Sequence, residues 1–261
     1  MAISSKWLKL CRALHHKKYR QKEQLFLVEG AKSVQELLSQ GVTAGFRIKA
    51  LFATRKFIES TPVLQQPVPF LLQTATGEEL SRAGTTQTNQ TALAVVQVPQ
   101  PTEFVPSNQW LLALASIRDP GNLGTIIRIA DWYGIDRVVC SPDTAEWYNP
   151  KVISASMGSF LRVQPFYTDL SEFFSRYSIV VYGALLDGES IYKCSPSKKG
   201  AILIGNESHG IPLNLLPFVN YRLAIPRIGK AESLNAAIAA AIFCDRLVGQ
   251  NSEFRDPRTK K

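Results

Sequence analysis

The chain is poor in the groups that bind metals or form covalent cross-links: its 261 residues include four cysteines, three histidines and two methionines. Cys11, Cys140, Cys194 and Cys244 lie far apart, with no CxxC pair and no cysteine–histidine cluster at zinc spacing. Neither a disulfide framework nor a metal site is therefore expected. Cys140 and Cys244 sit in the apolar runs RVVC and AAIFC, which suits small core residues in a reducing compartment. Long apolar runs are also missing. Even AIAAAIFCDRLV is interrupted by Asp245 and Arg246, too early to cross a bilayer, so a soluble protein is expected. Internal repeats, low-complexity tracts and the GxGxxG turn of dinucleotide folds are absent as well.

The chain does contain ample core material, since 45% of its residues are hydrophobic, enough for two modest domains. Charge is unevenly spread. Residues 1 to 109 carry 13 Lys or Arg against 7 acids, whereas residues 110 to 261 carry 17 against 14. A basic surplus concentrated in one part of a chain suits a polyanion partner, because neutralising phosphates releases counterions; mere solubility is the plainer reading of the same charge. Residues 1 to 22 hold seven Lys or Arg, two His and no acid. Such a leader could be an organelle transit peptide, but a strand-and-helix pattern follows without a break, which favours a basic, RNA-facing helix.

Strands are expected at 24 to 29, 48 to 53, 68 to 72 and 92 to 98, with helices at 31 to 39 and near 77 to 82. The proline-bearing stretch PQPTEFVPSNQ reads as a linker and sets a boundary near residue 105, giving domains of 1–105 and 106–261. Beyond it, apolar strands at 110 to 115, 137 to 140, 179 to 185, 201 to 204 and 222 to 225 alternate with helical patterns. That alternation predicts an α/β fold with a parallel sheet covered by helices on both faces. The tail RDPRTKK is expected to be loose.

Three polar clusters each follow an apolar strand. The first is Asp119-Pro120-Gly121-Asn122-Leu123-Gly124-Thr125-Ile126-Ile127-Arg128, the second Gly205-Asn206-Glu207-Ser208-His209-Gly210, and the third Ile225-Pro226 followed by Glu232-Ser233-Leu234-Asn235. In an open parallel sheet ligands bind beyond the carboxyl ends of the strands, so the three clusters predict one composite site. Amides at a helix start beside the Arg128 guanidinium suit a phosphate. Taken singly, each residue has a bland reading: a turn asparagine, a surface arginine, a turn carboxylate at Glu207, a helix cap at Ser233. His209 could be a general base by its usual pKa, but is read as incidental.

In this order the clusters resemble the three signature motifs of the SpoU family of RNA 2′-O-ribose methyltransferases, and the resemblance covers the chain from about Trp110. It implies a trefoil-knotted catalytic sheet, an S-adenosylmethionine cofactor with no metal, a homodimer, and a cytoplasmic enzyme with no membrane partner. It further implies that Gly205, Ile225 and Leu234 line the cofactor pocket, and that Asn122, Arg128, Glu207, Ser233 and Asn235 form the reaction centre. An unperturbed arginine is a poor base, so Arg128 is read first as an orienter and phosphate clamp. Phe26-Leu27-Val28-Glu29-Gly30 after a basic leader resembles the small RNA substrate-binding domain of ribosomal-RNA members, which favours ribosomal RNA as substrate. A transfer-RNA methyltransferase, or a non-catalytic RNA-binding or ribosome-assembly factor with the same fold, are the competing expectations.

Overall fold

In a computed structural model of the protein, residues 3–41, 43–86, 88–100, 103–196 and 199–249 are described, so the tail RDPRTKK lies outside them. The first part of the chain runs α1 (Ser5–Ala13), α2 (Lys17–Glu23), β1 (Leu25–Glu29), α3 (Ala31–Gln40), β2 (Arg47–Ala53), α4 (Arg55–Glu59), β3 (Leu71–Thr74), α5 (Gly77–Ala83) and β4 (Ala92–Gln97). The rest runs β5 (Leu111–Leu114), α6 (Pro120–Trp132), β6 (Arg137–Cys140), α7 (Pro150–Ser156), β7 (Gln164–Tyr167), α8 (Leu170–Arg176), β8 (Val181–Ser190), β9 (Ala201–Ile204), β10 (Tyr221–Ala224) and α9 (Ala236–Leu247). Two compact units result, one of Met1–Pro101 with Glu146–Leu161, the other of Thr102–Ala145 with Arg162–Lys261. Whereas a single linear boundary near residue 105 was expected, the stretch 146–161 packs with the first unit.

In the first unit a four-stranded sheet has the order β1-β4-β2-β3, with β4 antiparallel to both neighbours and β3 parallel to β2. Period-two alternation divides its side chains between two cores. Phe26, Val28, Leu51, Ala53, Ala94 and Val96 face one core with Val34 and Leu37 of α3. Ile153 and Phe160 complete that core, and the Phe160 ring meets Phe26 and Phe46 edge-on. Leu27, Phe52, Leu93 and Val95 face the other, with Cys11 of α1 and Leu80 of α5. Burial pushes the Cys11 thiol up to about 12, so it packs as a small apolar group.

The basic leader forms two helices. Lys6, Lys9, Lys17, Lys18 and Lys22 are exposed along them, whereas Arg20 is only 2% exposed. Its guanidinium donates to Leu14 O at 2.7 Å and pairs with Glu146 through both nitrogens of its fork. Arg20 therefore belongs to the interior of this unit rather than to the leader's solvent-exposed charge. The strand expected at 68 to 72 is displaced to Leu71–Thr74, because Pro67 and Pro69 cannot donate to a ladder.

The second unit carries a wholly parallel six-stranded sheet of order β10-β8-β9-β5-β6-β7. Strand β7 was not anticipated, because QPFY lacks an apolar run; its Pro165 is accommodated since β7 is an edge strand. One face of the sheet packs on α8 through Leu170, Phe173 and Phe174, while α9 packs beside α6 and against β9. Cys140 and Cys244 are buried as expected, with burial raising both thiols, that of Cys244 to about 12. Among the described residues no helix is long and apolar enough to cross a membrane.

Candidate active site

Strand order decides what meets at the carboxyl edge of the parallel sheet. β5 and β9 are adjacent, so the first and second clusters leave the sheet side by side. The third leaves β10, two positions beyond β9, and returns through an irregular segment to α9. Because α9 lies against α6, the start of α9 comes back to the start of α6.

Helix α6 begins at Pro120, inside the first cluster. Pro120 occupies its first position, where a missing N–H costs nothing, and the Asp119 carboxylate accepts from Asn122 N at 2.8 Å. That cap fixes the Asn122 backbone and leaves its amide free for other partners. Its Nδ2 donates to Glu207 Oε1, and its Oδ1 accepts from Asn235 Nδ2 at 2.9 Å. Asn235, rather than Ser233, is the N-cap of α9: its Oδ1 accepts from Ala237 N at 2.9 Å and Ile238 N at 3.3 Å. One residue from each cluster thus joins a single chain of amide and carboxylate bonds, Glu207–Asn122–Asn235. Among the described residues the Glu207 side chain has no other hydrogen-bond partner, so its second oxygen has acceptor capacity left.

Arg128 lies exposed on α6, six residues beyond Asn122, and its guanidinium makes no hydrogen bond or ion pair among the described residues. An exposed guanidinium on the same helix as Asn122, with no hydrogen bond or ion pair among the described residues, is suited to an anion supplied from outside. Ser233 is exposed in the segment leading to α9, and His209 is exposed in the second turn, its ring without a partner among the described residues.

The second turn is held by a two-way backbone bridge between Asn206 and Gly210. The approach is so close that a Cβ on Gly205 would lie 2.2 Å from the Gly210 carbonyl carbon, which requires glycine there. Gly210 itself sits at φ +66°.

Asn206, absent from the residues expected at the site, links the second cluster to the first. Its Oδ1 accepts from Ser208 N at 2.9 Å, while its Nδ2 donates to Ser116 O at 2.9 Å. Ser116 is the residue on which the chain turns out of β5, and it adopts φ +61°. That left-handed conformation costs a non-glycine residue about 1–2 kcal/mol. From the other side Ser116 N donates to Ser141 Oγ at 2.8 Å, and Ser141 Oγ donates to Asp143 Oδ1 at 2.7 Å. Burial alone would raise the Asp143 pKa, but hydrogen bonds from Ser116, Ser141 and Arg118 outweigh it and hold the carboxyl below its ordinary value. The signal for Asn206 was present in the turn itself, where an asparagine two residues before an exposed serine favours a side-chain-to-backbone bond.

The S-adenosylmethionine implied by the motifs can be tested against the third cluster. From Arg227 to Leu234 the chain is exposed, and no backbone N–H there has a partner among the described residues; Ala231 O accepts weakly from Arg227 at 3.4 Å. Half-buried Ile225 and exposed Leu234 flank this segment with aliphatic surface. Unpaired peptide groups between aliphatic side chains fit a flat heteroaromatic ring with polar edges, so these residues fit the group. A separate polar cleft of roughly 720 Å³ lies at the opposite, amino end of the strands, lined in part by Asn108, Gln109, Lys199 and Asn220. It contains none of the three clusters.

The SpoU rRNA Methylase family model matches residues 109–245, and the MRM3-like substrate binding domain model matches residues 6–94. The chain belongs to the SpoU rRNA methylase family. It is 32% identical over 247 residues to the 23S rRNA (guanosine(2553)-2′-O)-methyltransferase RlmP of Bacillus subtilis, covering 90% of this chain and 93% of that protein. A TrmH-family protein of Porphyromonas gingivalis superposes with a TM-score of 0.82 at 35% identity, over 96% of this chain and all of that one. An AdoMet-bound rRNA methyltransferase of Sinorhizobium meliloti gives 0.82 at 27% identity, over 94% and 95% of the two chains. SpoU membership accounts for a parallel sheet whose polar clusters converge at its carboxyl edge.

Proposed function

We propose that this SpoU-family protein transfers a methyl group from S-adenosylmethionine to a ribose 2′-hydroxyl of 23S-type ribosomal RNA. The observation that carries the reading is the Glu207–Asn122–Asn235 network, which gathers one residue from each motif at the edge where the cofactor segment also ends. The relation to RlmP, a 23S rRNA 2′-O-methyltransferase, supports the substrate. Bound S-adenosylmethionine supplies an electrophilic methyl on a sulfonium, with a neutral thioether as leaving group. The chain's own residues hold the ribose. Arg128 clamps the adjacent phosphate and orients the 2′-hydroxyl, whose oxygen gains the methyl as its proton passes to solvent water. Glu207, oriented by the Asn122 amide, accepts a hydrogen bond at its open oxygen, and Ser233 offers a hydroxyl from the third cluster. Gly205, Ile225 and Leu234 line the cofactor pocket.

In this reading residues 1–105, joined by the stretch 146–161 that packs with them, are the substrate-binding portion, and the rest of 106–261 is the methyltransferase portion. Exposed Lys6, Lys9, Lys17, Lys18 and Lys22 support RNA capture by the former. Exposed apolar side chains on the paired helices α6 and α9, Trp132 at 84% and Ile238 at 52%, support a homodimer built on that layer. The return of the chain from β10 to α9 supports a trefoil knot, and ribosomal RNA as substrate supports a cytoplasmic site of action. The test is incubation with labelled S-adenosylmethionine and fractionated RNAs, then alkaline hydrolysis. A methylated 2′-oxygen cannot attack its own phosphate, so label in an alkali-resistant dinucleotide from ribosomal RNA is expected. Label in transfer RNA or in a base overturns the target, and no label in any fraction overturns the enzyme.

A further inference from the structure

We propose that Asn206 is a positioning residue for methyl transfer, acting as a latch that holds Ser116 in its left-handed conformation and so aims α6, with Asn122 and Arg128, at the substrate. The inference rests on the methyltransferase reading above.

Ser116 is the last residue before the chain turns into the first cluster, and both of its backbone polar groups are held by side chains. Its N–H is taken by Ser141 just beyond β6, and its carbonyl by Asn206 just beyond β9. Three residues on, Asp119 caps α6 and holds the Asn122 backbone, so the direction in which the chain leaves Ser116 sets where α6 starts. A residue at φ +61° departs from this geometry unless its surroundings oppose the strain. The latch and the reaction centre also share a turn: Asn206 grips Ser116 while the next residue, Glu207, accepts from Asn122. Two bonds from consecutive residues to points six residues apart fix both the position and the tilt of the start of α6. Asn206 has no part in holding substrate or cofactor in this arrangement. Its effect is exerted through Ser116.

The two hydrogen bonds of the Asn206 side chain are separable. In Asn206→Asp an oxygen still accepts from Ser208 N, but nothing donates to Ser116 O. If Asn206 served only to shape its own turn, aspartate would replace it. As a latch, it gives way to a variant whose kcat falls about tenfold to a hundredfold, while the KM for RNA and the dissociation constant for S-adenosylmethionine stay within about twofold of the parent. Ser116→Gly in the Asn206→Asp background restores part of the lost kcat, since glycine takes a positive φ without a latch. Ser141→Ala removes the opposing clamp and gives the same split of kcat from affinity, which keeps the test open should Asn206→Asp fold poorly. Parental kcat in Asn206→Asp, loss of cofactor affinity in step with kcat, or no recovery with Ser116→Gly each overturns the proposal. A parent enzyme inactive on every RNA refutes the methyltransferase reading instead, whereas an active parent with unaffected variants refutes only the latch.

Discussion

Glu29 and Glu207 both lie at or just beyond the end of an apolar strand and both bind a segment distant in sequence, yet they are left in opposite states. Glu29, the last residue of β1, accepts from Thr85 N at 2.9 Å, Thr85 Oγ1 at 2.6 Å and Thr86 N at 3.3 Å. Its oxygens are occupied by its own unit, as befits a carboxylate that closes a loop. Glu207 has a single amide partner in Asn122 among the described residues. Both segments place a glutamate at or just past the end of an apolar run, and what separates a structural carboxylate from a candidate reaction-centre one is the acceptor capacity left over. The same contrast separates Arg20, buried against Glu146, from Arg128, exposed with no ion pair among the described residues.

The comparison can be broken most severely at Arg128. Arg128→Ala is expected to lower methyl transfer by about 10²–10³-fold or more, with S-adenosylmethionine binding retained by equilibrium dialysis; normal turnover would show that a free guanidinium is no guide to function here. The glutamates sharpen it next. Glu207→Gln should lower kcat by about 10–10²-fold with little change in unfolding midpoint. Glu29→Gln should leave kcat alone and lower stability by about 1–3 kcal/mol in urea titrations. Equal effects on kcat from both variants would end the distinction.

A milder effect is expected from replacing Lys17, Lys18 and Lys22 together with alanine: weaker RNA binding, and a salt dependence reduced by about one unit of slope for each lysine that meets a phosphate. Filter binding across salt concentrations measures this, and an unchanged slope would remove α2 from the RNA surface. Arg20→Ala belongs to another class, since breaking a buried pair costs about 3–5 kcal/mol. The smallest effect is acid-linked. The folded-state pKa of Asp143 is depressed below its ordinary 3.8, so its stabilisation is present above that value and is lost as pH falls through the folded one. Asp143→Asn should flatten this part of the acid limb of stability against pH, and an unaltered limb would mean that the Ser116 and Ser141 bonds do not discriminate charged from neutral carboxyl.

Much of this was legible in the sequence wherever the signal is local. Apolar runs bounded by turns marked β1, β2, β4, β6 and β9, because buried strands must be apolar and short. The parallel arrangement followed from alternation with helices. β7 and α7 were not legible, since Pro165 breaks the strand signature and Lys151-Val152-Ile153 is too short to show a helical period. Arg20 was read with the leader's lysines because burial depends on a partner 126 residues away. The same holds at the site: the motifs named Asn122, Glu207 and Asn235, but that Asn122 bridges the other two emerges only from the pairing of β5 with β9 and of α6 with α9. Asn206 escaped notice because its neighbour is the more reactive group.

The stretch 146–161 constrains how such a chain could be shortened or recombined. Ile153 and Phe160 are shared property: they are encoded between two strands of the parallel sheet but complete the core under β1 and β2. A truncated chain starting at residue 102 would carry them into solvent along with a Glu146 whose cation had been deleted. Swapping the amino-terminal portion between relatives would therefore require transplanting 146–161 with it, two separate pieces of sequence for one compact unit.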